Sequence, residues 1–197
     1  MVAYYVENSC KAKELVTSLI PENSIVSFGG SVTLNESGIM EILRSGKYKL
    51  LDRSAEGADV LKIYRDTFGA DFYLTSSNAI TQNGELYNVD GYGNRVTALT
   101  FGPKQVIVVA GINKIVKDLD DAILRVKTIA APKNCVRLSK KTYCAECGKC
   151  VSLNRENPEM TDGCDSPDRI CRQYVINAKQ PKNDRFIVIL VGESLGY

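Results

Sequence analysis

Two runs in this 197-residue chain, QVIVVAG at Gln105–Gly111 and FIVILVG at Phe186–Gly192, are apolar almost throughout and do not alternate with polar residues. A strand buried on both faces has this pattern, and such strands belong to parallel sheets covered by helices. Neither run is long enough to span a bilayer. The first third of the chain alternates in the same sense. Glu7–Leu19 reads as a helix with Asn8 or Ser9 as cap, followed by a strand at Ser24–Phe28 and a helix from about Leu34 to Arg44. YKLLD then reads as a strand, GADVLKIYRDTF as a helix and DFYLTS as a further strand. After Thr81, QNGELYNVDGYGNRVTALT reads as two short strands, a hairpin near Glu85–Thr100 projecting from the carboxyl end of the sheet. A helix is expected over Asp118–Ala130, with Leu119, Ile123, Val126 and Ala130 on one face. The expected fold class is α/β: a mainly parallel sheet flanked by helices on both faces, with a β-hairpin and a cysteine-rich metal-binding loop. One domain over residues 1–197 is expected, with the cysteine-rich insertion at about residues 131–183.

The stretch SIVSFGGSVTLNESGIMEIL, Ser24 to Leu43, runs from a strand through glycines into a helix. That arrangement can hold a phosphate or a carboxylate, and a parallel sheet places such a loop at the carboxyl end of its strand, where ligands bind. Gly29, Gly30, Ser31 and Thr33 are therefore candidate ligand-binding residues. Ser77 and Asn78 follow another strand, and the hairpin adds Asn88, Asp90, Asn94 and Arg95 as a dense polar set. Plain turn chemistry is the alternative reading of the hairpin.

There is no histidine. Histidine-based nucleophilic triads and histidine-ligated metals are excluded, so a general base must be a carboxylate, Lys, Tyr or Cys. Glu36 and Asp71 are the candidate carboxylates. A formal charge of +2 with scattered basic residues argues against a nucleic-acid surface. The amino-terminal MVAYYVENSC becomes polar too early for a signal peptide. A cytoplasmic protein without membrane or nucleic-acid partners is expected.

Seven cysteines stand out in such a chain, and six lie between Cys135 and Cys171. Cys144, Cys147 and Cys150 form C-x2-C-x2-C, with Cys164 and Cys171 downstream. Thiolates at this spacing, without histidine, suit an all-cysteine zinc site or a [4Fe-4S] cluster. The segment from Ala131 to Asn183 has little apolar periodicity, so something besides burial must order it. A structural metal can contribute on the order of 10 kcal/mol to such ordering. Cys10, alone in a helix, reads as a small core residue.

The strings SFGGSVTL, SSNAITQNGELYNVDGYGNRVTAL, FGPKQVIVVAGINKIVKDLDDAI, SPDRIC and VILVGESLGY resemble the bacterial lactate-utilization (LUD-domain) proteins, over nearly the whole chain. The resemblance implies a fold like ribose-5-phosphate isomerase and the CoA transferases, whose glycine loop binds an anion. It implies a part in oxidising L-lactate or another 2-hydroxy acid, alongside iron–sulfur oxidoreductase subunits and with a small anionic metabolite as ligand. It also implies four metal-binding cysteines in a pattern that Cys144, Cys150, Cys164 and Cys171 match, though Cys150 and Cys164 are separated by a longer stretch here. Cys135 and Cys147 are then extras, with Cys147 the nearest substitute ligand. Two other readings stay open: a stand-alone enzyme on a phosphorylated or CoA-linked metabolite, and a ligand-binding regulator.

Overall fold

The computed structural model describes residues 1–181 and 184–197. Lys182 and Asn183, the last positions of the expected cysteine-rich segment, lie outside the described residues. In chain order the elements are β1 (Val2–Val6), α1 (Ser9–Leu19), β2 (Ile25–Phe28), α2 (Val32–Glu36), α3 (Ile39–Leu43), β3 (Lys49–Leu51), α4 (Val60–Asp66), β4 (Phe72–Thr75), β5 (Ala79–Thr81) and β6 (Leu86–Asp90). They continue with α5 (Asn94–Thr100), β7 (Gln105–Gly111), β8 (Ile115–Val116), α6 (Leu119–Arg125), α7 (Ala131–Arg137), α8 (Tyr143–Cys147), β9 (Gln173–Asn177) and β10 (Phe186–Val191). They form two compact units, one of Met1–Ser76, Thr97–Asn113 and Lys179–Gly196, the other of Ser77–Val96, Lys114–Ala178 and Tyr197.

The first unit carries a parallel sheet in the order β1-β10-β7-β4-β2-β3. The two non-alternating apolar runs are the adjacent strands β7 and β10, and Val106, Ile107, Val109, Phe186, Ile189 and Val191 are all buried. This follows from their composition, because only a strand covered on both faces can bury every side chain. Ala12 and Val16 of α1, Leu34 of α2, and Ile39, Met40 and Leu43 of α3 complete one core with Ile107, Val109, Ile189 and Val191.

Two elements depart from expectation here. The helix expected from Leu34 to Arg44 is broken at Gly38, whose φ of 71° leaves the helical region and starts α3 in a new direction. β1 was not anticipated. It pairs in parallel with β10 at the edge of the sheet, with Tyr4 and Tyr5 exposed. Cys10, expected in the core, is exposed on α1.

The second unit has its own sheet, in the order β8-β5-β6-β9. The hairpin exists but is shifted: β6 pairs antiparallel with β5 around Gly84 (φ 90°), and β9 pairs with the other side of β6. The second half of the expected hairpin is the helix α5. The Asp90 carboxylate accepts the N–H groups of Arg95 and Val96, which starts a helix where the turn residues suggested a second strand. Helical structure also runs past the expected end at Ala130, through a π turn at Val126–Ala130 into α7.

The carboxyl-terminal residues close over the ends of β7 and β10. Ile112 N–H donates to Glu193 O, Leu195 N–H to Asn113 Oδ1, and Asn113 Nδ2 to Gly196 O. Gly111 makes this approach possible, since a Cβ there would lie 2.5 Å from both Glu193 O and Leu195 N. These are backbone atoms, each held by a hydrogen bond, Glu193 O to Ile112 N–H and Leu195 N–H to Asn113 Oδ1, and neither is the end of a flexible side chain. Gly111→Ala is expected to destabilise the protein by about 1–3 kcal/mol, as overpacking does in close-packed interiors. Denaturant unfolding checks this, and an unchanged midpoint would mean that the tail is free to shift.

Candidate functional site

The candidate residues fall into three groups. In the first unit, Gly29 and Gly30 follow β2 at the carboxyl end of the sheet. Gly29 N–H donates to Leu74 O at 2.9 Å, continuing the strand ladder. Ser31 caps α2 by accepting from Leu34 N–H, and Thr33 Oγ1 donates to Leu195 O. Two of the four predicted loop residues thus serve the helix cap and the tail, and a third serves the sheet. Gly30 is different. It is exposed, and a Cβ on it would meet Arg53 Nη2 at 2.5 Å, so a guanidinium lies against the bare glycine.

Sequence reading missed Arg53. It follows β3, which pairs in parallel with β2 so that Ser27 faces Leu51, and two residues further along each strand come Gly29 and Arg53. The signal was available: a cation just past the carboxyl end of the neighbouring strand. Arg53 is steadied by Tyr64, to whose hydroxyl it donates at 3.0 Å and over whose ring it stands at 5.8 Å.

The candidate carboxylates are not gathered at this loop. Glu36 accepts Gly196 N–H at 2.6 Å and so ties down the tail. Asp71 lies at the opposite, amino-terminal end of β4, where it accepts from Lys104 Nζ at 2.7 Å and from Ile25 N–H at 2.9 Å. Those two partners, Lys104 first, hold its carboxyl below the usual carboxylate range. Both carboxylates have structural work that accounts for them.

In the second unit, the polar residues of the hairpin converge on Arg95. Its guanidinium donates to Asn88 Oδ1 at 2.6 Å, Asn78 Oδ1 at 3.0 Å, Val89 O at 2.8 Å and Asp90 Oδ1 at 3.4 Å. Asn78 Oδ1 also accepts Val89 N–H, and Ser77 Oγ donates to the carbonyls of Ala79 and Tyr87. Asn94 opens α5 beside them. The set was expected to bind a ligand; these contacts make it a network that binds itself.

The third group is the cysteines. Cys144, Cys150, Cys164 and Cys171, with Cys135, line one cavity of ≈ 30 Å³ closed by Tyr87, Val126, Met160 and Tyr174. Cys147 is exposed and stands away from this cavity, although C-x2-C-x2-C suggested it as a ligand. The cause is local. Gly148, at φ 73°, ends α8 and turns the chain, which brings Cys150 to the cavity and leaves Cys147 outside. Burial pushes the Cys171 thiol up to about 12, and the nearby thiols of Cys144, Cys150 and Cys164 add to the effect. Cys135 and Cys144 share a contact of 3.7 Å between sulfurs. Their hydrogen bond, with help from Thr142, lowers the Cys144 thiol; the same bond and burial raise that of Cys135, against the effect of Thr142. Among the described residues no three Cys, Asp or Glu side chains lie close enough to hold a single ion. The sulfurs ring the cavity and do not meet at one point.

Two cations, buried Lys127 and half-buried Arg169, hold this ring. Lys127 Nζ donates to Ser152 Oγ at 2.8 Å, Glu159 O at 2.6 Å and Asp162 O at 3.2 Å. Its carbonyl accepts Cys150 N–H at 2.8 Å. That carbonyl is free because of the π turn: Ala131 N–H bonds Val126 O, and the next residue, Pro132, has no N–H to give Lys127. Arg169 donates to the carbonyls of Cys171, Cys164 and Thr161 and to the Tyr174 hydroxyl. Lys127→Met removes three donors and strands two carbonyls, so a loss of about 2–4 kcal/mol is expected from unmade hydrogen bonds. Faster proteolysis within residues 150–163 should accompany it. A variant with parent stability and parent cleavage would show that other contacts hold the loop.

Residues 1–191 match the LUD domain. A comparison with curated proteins found no match. Among solved structures, a DUF162 family protein from Deinococcus radiodurans is similar, with a TM-score of 0.50 and 14% identity over 97% of this chain and 88% of that one. The eIF2B delta and beta proteins of Chaetomium thermophilum are more distant, each at a TM-score of 0.39 with 18% and 14% identity. They align over 59% and 57% of this chain, and 51% and 44% of theirs. With its parallel sheet flanked by helices, and a family match over residues 1–191, the chain belongs to the LUD-domain, or lactate-utilization, family.

Proposed function

We propose that this LUD-domain protein is a component of L-lactate, or more broadly 2-hydroxy-acid, utilization. In this reading it holds a small anionic metabolite at Gly30 and Arg53 and a cysteine-ligated metal centre at Cys144, Cys150, Cys164 and Cys171. Family membership supports the metabolic role, and the four thiols on one cavity carry the metal reading. The donor set fits: soft thiols without histidine, partly buried, with backbone already fixed by Lys127 and Arg169. Sulfurs spread around a cavity suit a [4Fe-4S] cluster, where each thiolate takes its own iron, better than zinc, where all four must meet one ion. When bound, a cluster would supply one-electron transfer, consistent with iron–sulfur oxidoreductase subunits as partners.

The chain's own residues have separate roles. Arg53 offers a planar fork of donors that matches a carboxylate, as lactate or pyruvate would present. Tyr64 keeps the guanidinium over Gly30, and the missing Cβ gives it room. Lys127 and Arg169 place positive charge beside the thiols, which offsets the negative charge of several thiolates in one small volume.

Two measurements test this. Protein purified without oxygen should be brown, with iron and sulfide, and Cys164→Ser should lose most of its metal. A colourless parent with zinc would correct the metal, and one without metal would end the reading. Separately, Arg53→Ala should weaken binding of L-lactate or pyruvate about 10- to 100-fold by calorimetry, the value of a charged hydrogen-bonded pair. Equal binding by parent and variant would remove the loop from the function.

A further inference from the structure

Cys135 has no place in the four-cysteine centre, yet its environment is specific. It sits on α7, 1% exposed, and Cys144 sits on α8, 8% exposed. Their sulfurs touch at 3.7 Å, against about 2.05 Å in a disulfide, so the bond would form between thiols already in contact. The two short helices pack against each other. Local turns order the chain between them: Lys140 N–H donates to Cys135 O at 2.8 Å at the end of α7, and Ala145 N–H to Thr142 O at 3.0 Å at the start of α8. Thr142 Oγ1 lies 3.4 Å from Cys144 Sγ and fixes that sulfur's position. Both thiols line the ≈ 30 Å³ cavity, which has room for a molecule the size of one or two waters.

We propose that Cys135 and Cys144 form a dithiol oxidation site for hydrogen peroxide, closing to a disulfide when no metal holds Cys144. The Cys144 sulfur attacks one peroxide oxygen, the O–O bond breaks, and hydroxide leaves with the Cys144 proton as water. Cys144 is then a sulfenic acid. The Cys135 sulfur attacks Cys144 Sγ, the S–S bond forms, the S–O bond breaks, and hydroxide leaves with the Cys135 proton as a second water. Two thiols lose two electrons in all, and the peroxide oxygens gain them. Such bonds in reducing compartments are typically transient and reversible by thiols. The claim that metal protects the pair rests on the reading of Cys144 as a ligand, whereas the dithiol site stands on its own geometry.

The test uses the full chain, reduced and stripped with a chelator, then split into samples with and without added zinc(II), which is itself redox-inert. Each is treated with hydrogen peroxide, quenched with an alkylating agent and mapped by mass spectrometry. In the metal-free sample the expected product is a Cys135–Cys144 linked peptide pair, lighter by two hydrogens and reversed by dithiothreitol. Cys135→Ala should give no such pair and should leave Cys144 trapped as a sulfenic acid by dimedone. Exposed Cys10 and Cys147 report the peroxide dose. If they are oxidised while Cys135 and Cys144 remain free thiols, the dithiol site is overturned. Zinc is expected to suppress the linked pair several-fold. Equal yields with and without bound zinc would sink the ligand reading of Cys144 and leave the dithiol site standing.

Discussion

The cysteine segment depends on Lys127, which holds it from both ends of one residue. A buried ammonium is expensive unless all three of its protons are bonded. Here they go to Ser152, Glu159 and Asp162, so residues scattered over a polar loop are drawn to one point. The carbonyl of the same residue takes the N–H of Cys150. A hydrophobic side chain in this place could fill space but could not specify which carbonyls approach it. Arg169 repeats the device on the other side, through the carbonyls of Cys164 and Cys171. The positions of three of the four candidate ligands are thus set by backbone hydrogen bonds, Cys164 and Cys171 to the Arg169 guanidinium and Cys150 to the Lys127 carbonyl.

The first unit depends on a different constraint, close backbone approach. Its central strands β7 and β10 are buried on both faces and almost wholly apolar, so a site must be built where strands end. The tail from Gly192 to Gly196 is packed into those ends, which is why Thr33, Glu36 and Asn113 all bond it. Glu193 also accepts Ser9 N–H, tying the tail to the start of α1. The polar residues around the glycine loop are mostly structural for this reason, and Arg53 with Gly30 is what remains for a ligand.

The sheet was legible because burial on both faces writes an unmistakable pattern, seen in β7 and β10 and in the flanking helices. Single-residue events were not. The break at Gly38 and the helix at Asn94–Thr100 turn on one glycine conformation and one capping carboxylate, and neither disturbs the apolar periodicity around it. Among site residues, the cysteines announced themselves by type and spacing, but spacing alone could not separate Cys147 from Cys135. That difference comes from the turn at Gly148 and from the packing of α7 against α8. Lys127 and Arg169 were invisible for a related reason: a lone cation in a sequence looks like surface, and only the fold puts it under a loop.

The low periodicity of residues 131–183 suggested a segment that needs metal in order to fold. The hydrogen bonds of Lys127 and Arg169 change that argument. If the protein's own cations fix the loop, the free energy of metal binding is not spent on ordering the chain, as it is in a zinc finger. In the proposed metal reading it would appear as affinity, and the site would lose and regain its metal without unfolding. A cavity with that property needs some fate for its thiols while they are free, since a small group of ionisable sulfurs in one volume is open to oxidation. Cys135, buried against Cys144 and outside the set of four, supplies a reversible one.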